Sequence, residues 1–192
     1  MTKQADGEVE IYTPDELKSL LAAARTEMVT YLVIAAFAGL RQAELSRLNW
    51  SQVKDDHIFV LGGNTKTGRH RQVPILPNLA AWLRRHRQES GLVVPFKNVT
   101  NQLCKLVHQC EIQSKHNGLR HSFGSHRLAS EKDPAKVAYE MGNTTAMVFR
   151  HYRKVVAEIE SVRWFGIYPD AEGKPTFVIQ NQFQAAPVPV AA

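Results

Sequence analysis

Only two cysteines, Cys104 and Cys110, occur in the 192 residues. Six positions apart on a helix, they would point about 240° apart at ~100° per residue, so they cannot pair within it. Disulfide frameworks and zinc-type Cys/His spacings are both missing, and a reducing, cytoplasmic setting fits. Long apolar runs are also missing. The most apolar stretch, Tyr31 to Leu40, falls far short of the ~20 residues that cross a bilayer, so no membrane partner is expected. The opening residues are polar and acidic, unlike a secretory signal peptide. No internal repeat is found. Acid is in deficit: 18 Asp and Glu stand against 24 Lys and Arg, a formal net charge of +6. That balance favours a polyanionic partner, nucleic acid above all.

What is present is enough to fold. The chain is 44% hydrophobic, so it can bury a core and is not of the disordered class. Its length fits one domain. Residues 1–11 are read as a frayed N-terminus. Thr13-Pro14-Asp15-Glu16 then opens a helix with a threonine cap, proline at the first helical position and glutamate at the third. A second helix, about Glu27 to Phe37, is apolar enough to lie in the core and stops at Gly39. Trp50–Val53, His57–Leu61 and Arg71–Ile75 read as three short strands. The loop between the last two, Gly62 to Arg71, carries Lys66, Arg69, His70 and Arg71 and projects from the sheet. Helices are further predicted from Pro77 to about Glu89, Thr100 to Cys110, Leu119 to Ala129, Pro134 to Met141, Asn143 toward His151, and Val155 to Val162. Arg84, Arg85 and Arg87 read as a solvated face, with phosphate contact as the rarer alternative. After Gly166 the periodic apolar face is lost, and residues 166–192 are read as a tail, flexible or docked on a neighbouring copy.

Two features carry chemistry. Arg41 follows the Gly39 stop between two apolar elements, where a charge must be partnered or functional. The bland alternative is a surface pair with Glu44, worth little. Tyr152 is surrounded in sequence by Arg150, His151, Arg153 and Lys154. A phenol ionises near pH ~10. Nearby cations favour the anion and also gather phosphate.

In order along the chain, Arg41, Lys66, Arg120 and Tyr152 resemble the catalytic set of the tyrosine recombinases, the phage-integrase family. Ala38-Gly39-Leu40-Arg41, with Glu44-Leu45, is similar to the family's first arginine box. Thr65-Lys66-Thr67-Gly68 resembles its lysine turn, and Leu119-Arg120-His121-Ser122-Phe123 its second arginine box. Met141-Gly142 followed by Tyr152 resembles its last block. Asn143 lies 23 residues after Arg120 and nine before Tyr152, both spacings of the family. The likeness spans residues 12–165. It departs from the pattern twice: Asn117 stands where the family usually has histidine, and Asn143 where it has histidine or tryptophan. An amide can hydrogen-bond a phosphate but takes no proton at neutral pH. General-base help at Asn117 is therefore in doubt, with His116 or His121 as stand-ins, or with activation of the phenol left to the surrounding positive charge.

The resemblance implies a mainly α fold with a small three-stranded antiparallel sheet, acting on double-stranded DNA. Arg41 and Arg120 would clamp the phosphodiester. Tyr152 would attack phosphorus to form a 3′-phosphotyrosine, and Lys66 would protonate the leaving 5′-oxygen. Asn117, Asn143 and His116 complete the expected catalytic set. Arg69, Arg71, His121, Arg150 and His151 are expected on DNA. No metal or other cofactor is implied; His116, His121 and His126 are five apart, a poor ligand spacing. The resemblance further implies a homotetramer on two DNA sites, bacterial and nucleoid-associated, and a separate N-terminal DNA-clamping domain for which residues 1–12 leave no room. The two asparagines lean toward a mobile-element integrase. The alternatives are a DNA-binding module of the same fold with impaired catalysis, and relaxation of DNA in the manner of a type IB topoisomerase.

Overall fold

The computed structural model describes residues 9–62, 70–152 and 156–178. Helix α1 (Pro14–Ala23) starts on the expected capping box: Thr13 Oγ1 accepts from Glu16 N at 3.1 Å, and Glu16 Oε2 accepts from Thr13 N at 2.7 Å. Helix α2 (Thr26–Ala38) is buried from Met28 to Ala38, as its unbroken apolar sequence requires. It ends at Gly39, whose φ of 62° suits a residue without Cβ. A side chain there would also overlap the Phe123 ring.

The short helix α3 (Gln42–Leu45) follows at once, so Arg41 is pinned between the end of α2 and the start of α3. Strands β1 (His57–Val60) and β2 (Arg71–Pro74) pair antiparallel, with Val60 opposite Arg71. The expected first strand is instead a 3₁₀ turn over Trp50–Gln52, followed by a single bridge from Val53 to Ile58. Asn49 causes the change: its side chain accepts from Ser51 N at 3.1 Å, while its own N–H donates to Gln52 Oε1 at 2.9 Å. This local capping competes with the sheet ladder.

Helices α4 (Pro77–His86), α5 (Val99–Gln109), α6 (Gly118–Glu131), α7 (Pro134–Met141) and α8 (Thr145–Tyr152) complete the body up to the tyrosine. Helix α9 (Glu158–Phe165) begins later than Val155, with Ala157 as its extended cap and Glu158 and Glu160 in its first turn, where the helix dipole favours acid. The α2 helix packs against α4 and α6, and α6 against α7, α8 and α9. Trp164 of α9 is buried against Phe37 at 6.2 Å, stacks on His126 at 4.4 Å, and donates its indole N–H to Ala36 O.

Beyond Gly166 lies a hairpin where a tail is expected. Strands β3 (Ile167–Pro169) and β4 (Pro175–Phe177) pair antiparallel around a turn in which Asp170 Oδ1 accepts from Glu172 N and Lys174 N. Trp82 donates to Ile167 O at 3.1 Å, and Lys18 and Arg163 sit over the Phe177 ring. Arg85, read as a solvated charge, donates to Asp170 O and Ala171 O and holds the hairpin on α4. Three-residue strands are too short for alternation to reveal them in sequence.

Among the described residues two apolar clusters result. The larger is centred on α2. The smaller joins Phe123 of α6, Val137, Ala138 and Met141 of α7, and Val148 and Tyr152 of α8, with Val9 and Phe165 against it. It forms the floor of the site described next.

Candidate active site

Three elements bring Arg41, Arg120 and Asn143 together. Arg41 stands at the entrance to α3, Arg120 in the first turn of α6, and Asn143 just past the C-terminal end of α7. Arg41 Nη2 donates to Asn143 Oδ1 at 2.7 Å and to Gly142 O at 2.6 Å. Arg120 Nη2 donates to the same Asn143 Oδ1 at 3.1 Å and to Met141 O at 2.7 Å, while its Nη1 donates to Gly39 O. Two guanidiniums thus converge on one oxygen. Burial lowers the pKa of Arg120 to about 10, with the Arg41 charge adding to the effect. It remains a cation at neutral pH.

Glu44 aligns the pair from behind. Its carboxylate accepts from Arg41 N at 2.7 Å and from Arg41 Nη1 at 3.2 Å. It also takes two parallel bonds from Arg71, both 2.8 Å. Burial alone would raise the Glu44 pKa, but the Arg71 and Arg41 bonds outweigh it and hold the carboxyl below its ordinary value. Arg71, expected on DNA, is buried at 8% exposure and its Nε donates to Glu140 O at 2.9 Å. Its guanidinium supports the site from inside. The signal was available in the sequence: Arg71 and Val73 are two apart on one strand and so share a face, and Val73 is core.

Tyr152 ends α8 on the apolar floor, 5% exposed, with its ring beside the spaces left by Gly124. Its hydroxyl lies 2.9 Å from His121 Nδ1. Burial raises the phenol pKa, against the pull of Arg120 and Arg41. In the resting site desolvation outweighs the nearby positive charge, and the phenol stays protonated. Burial, then the charges of Arg120, His151 and His116, lower the His121 pKa to about 4, so its ring is neutral and its Nδ1 can accept the phenolic proton.

The remaining expected residues are spread around this centre. Asn117 precedes α6 at φ 51°, a left-handed conformation that asparagine tolerates, with its side chain exposed. His116 beside it is exposed. His151 packs edge-on against Tyr152 at 6.3 Å, and Arg150 is exposed next to it. Lys66 and Arg69 lie outside the described residues. On either side of that stretch, His70 stacks on Phe59 at 5.6 Å and accepts from Gly62 N. Among the described residues no cluster of three His, Cys, Asp or Glu side chains could hold a metal ion. None of the described helices is long and apolar enough to cross a membrane.

A mostly helical domain thus aims two arginines at one acceptor, with a tyrosine of α8 within reach of their charge. The family model described as the phage integrase family matches residues 10–158, and the chain belongs to that family. Among solved structures, the catalytic domain of bacteriophage HP1 integrase is 23% identical, with a TM-score of 0.64 over 81% of this chain and 94% of that one. XerA recombinase is 22% identical at a TM-score of 0.63, over 78% of this chain but only 62% of its own. Lambda integrase residues 75–356 bound to DNA is 14% identical at 0.57, over 81% of this chain and 66% of that one. These likenesses are of fold. No curated protein matches the chain.

Proposed function

We propose that this chain is a site-specific recombinase that cuts and rejoins duplex DNA through a covalent link between Tyr152 and a 3′-phosphate. The observation that carries the reading is the convergence of Arg41 and Arg120 on Asn143 Oδ1. A phosphoryl oxygen is an acceptor of the same kind with added negative charge, so the pair is already set at the spacing that would grip one. As phosphorus becomes pentavalent its oxygens gain charge, and each guanidinium contributes on the order of 10² to 10³ in rate. Lys66, on the loop between β1 and β2, supplies the proton to the leaving 5′-oxygen. The new phosphotyrosine bond conserves the energy of the one broken, so rejoining needs no nucleotide hydrolysis. Lambda integrase has been solved on DNA, which supports duplex DNA as the partner here; assembly as a tetramer on two sites belongs to the same reading.

The test is a nicked duplex from which the cleaved strand end is lost, trapping the adduct. The wild type should give a DNA–protein band that survives denaturant, and Tyr152→Phe should give none. A second reading has its own observation: the phenol is buried and its pKa raised, as in a domain that binds DNA without cutting it. Tight duplex binding by the wild type with no adduct on any substrate would select that reading.

A further inference from the structure

Resting on that reading, we propose that His121 is the proton acceptor of the cleavage step, taking the proton of Tyr152 as its phenolic oxygen attacks phosphorus. The pair is already joined: Tyr152 Oη and His121 Nδ1 are 2.9 Å apart, within reach for direct transfer. The two residues come from facing helices, α6 and α8, and their rings are 5.8 Å apart at 41°. Asn117, at the position one turn earlier, is exposed and cannot accept a proton at neutral pH. The base is thus on the other side of Arg120 in sequence, on the face of α6 that meets the tyrosine.

The step balances. The Oη–H bond breaks and its proton goes to Nδ1, giving an imidazolium; an Oη–P bond forms and the P–O5′ bond breaks; the 5′-oxygen takes a separate proton. In rejoining, the 5′-hydroxyl gives its proton back to the group that supplied it and attacks phosphorus, the Oη–P bond breaks, and His121 returns its proton to the phenolate. The groups facing His121 are Arg120 on its own helix, His116 ahead of it, and His151 and Tyr152 on α8. A phosphodiester held by Arg120 and Arg41 offsets the cationic repulsion that disfavours an imidazolium here, so the base strengthens when DNA is bound.

The experiment uses the full chain and nicked duplexes with a randomised core, from which denaturant-stable adducts are captured and sequenced to supply one defined substrate. On that substrate, His121→Ala should slow single-turnover cleavage by roughly 10² to 10⁴. The acid limb of the wild-type pH–rate profile should vanish in the variant, and added imidazole should restore part of the rate. His121→Asn, which keeps a polar partner for the phenol but takes no proton, should be equally slow while unfolding at the wild-type midpoint. Replacing the 5′-bridging oxygen by sulfur, a leaving group that needs no proton, should leave the His121 defect intact. Wild-type adducts together with an unchanged rate and profile in both variants would overturn this proposal alone. Absence of any wild-type adduct would overturn it together with the reading it rests on.

Discussion

Replacing Arg71 by methionine tests whether the arginine acts from inside the site. Methionine keeps most of the stem and removes every donor. The Arg71 and Glu44 side chains are 8% and 12% exposed, so Glu44 would keep its burial and lose two 2.8 Å charge-assisted bonds. Breaking a buried pair from one side costs about 3 to 5 kcal/mol. The two bonds Glu44 keeps from Arg41 place the expectation near the lower end, about 3 kcal/mol at pH 7. The loss should depend on pH. In the wild type Glu44 is held below 4.5, so it contributes stability above that pH which is lost as pH falls through the folded value. In the variant the carboxyl loses the largest influence that lowers it, so its folded value rises and it contributes less stability at pH 7. The difference between the two proteins should fade on acidification, as the carboxyl is protonated in both. Urea unfolding of both proteins at pH 7 and near pH 4.5 measures this directly. A difference below about 1 kcal/mol at pH 7, or one that does not shrink on acidification, would refute the assignment.

Two further outcomes concern stability. Gly39→Ala places a side chain at φ 62°, costing about 1 to 2 kcal/mol for the left-handed backbone. Overlap with the Phe123 ring adds about 1 to 3 kcal/mol; a change under 0.5 kcal/mol in denaturant melts would contradict the packing. Burial lowers the pKa of His126 to about 4 from 6.5, so as pH falls between those values the unfolded chain takes up a proton that the folded one refuses. Stability should drop across that window by on the order of 3 kcal/mol, and His126→Phe, which keeps a ring on Trp164, should flatten the dependence.

Much of this was legible in sequence because it is local. Thr13 and Glu16 declare the start of α1 within four residues, and α2 declares its burial by having no polar face. Arg41, Arg120 and Asn143 do meet, and Tyr152 lies close enough to feel the charges of the two arginines, although the four are spread along the sequence. The partners inside the meeting were not legible. That Asn143 Oδ1 accepts from both arginines could not be read from the sequence, because the partners of an amide depend on neighbours far away in the chain. The balance at Tyr152 was also hidden. Counting flanking cations gives the sign of one influence on the phenol, whereas its burial depends on Gly124, Met141 and the rest of α6 and α7, which no local pattern contains.

Three guanidiniums in one small volume repel one another, and among the described residues one carboxylate, Glu44, stands with them. The rest of the compensation comes from the backbone. The last carbonyls of a helix have no partner within it and carry the negative end of its dipole. At the end of α7, Glu140 O accepts from Arg71, Met141 O from Arg120, and Gly142 O from Arg41, so three successive carbonyls each take one arginine. The Glu140 side chain is committed elsewhere, to Arg127 at 2.9 Å, so it does not reach forward to neutralise the cluster. Gly142, at φ 62°, ends the helix at that point and adds no side chain beside Arg71 and Arg41. Carbonyl dipoles fix the direction of a cation but cancel no charge. One carboxylate against three guanidiniums therefore leaves the cluster oriented and still net positive, which is what an incoming phosphodiester would require and what a carboxylate for each arginine would have removed.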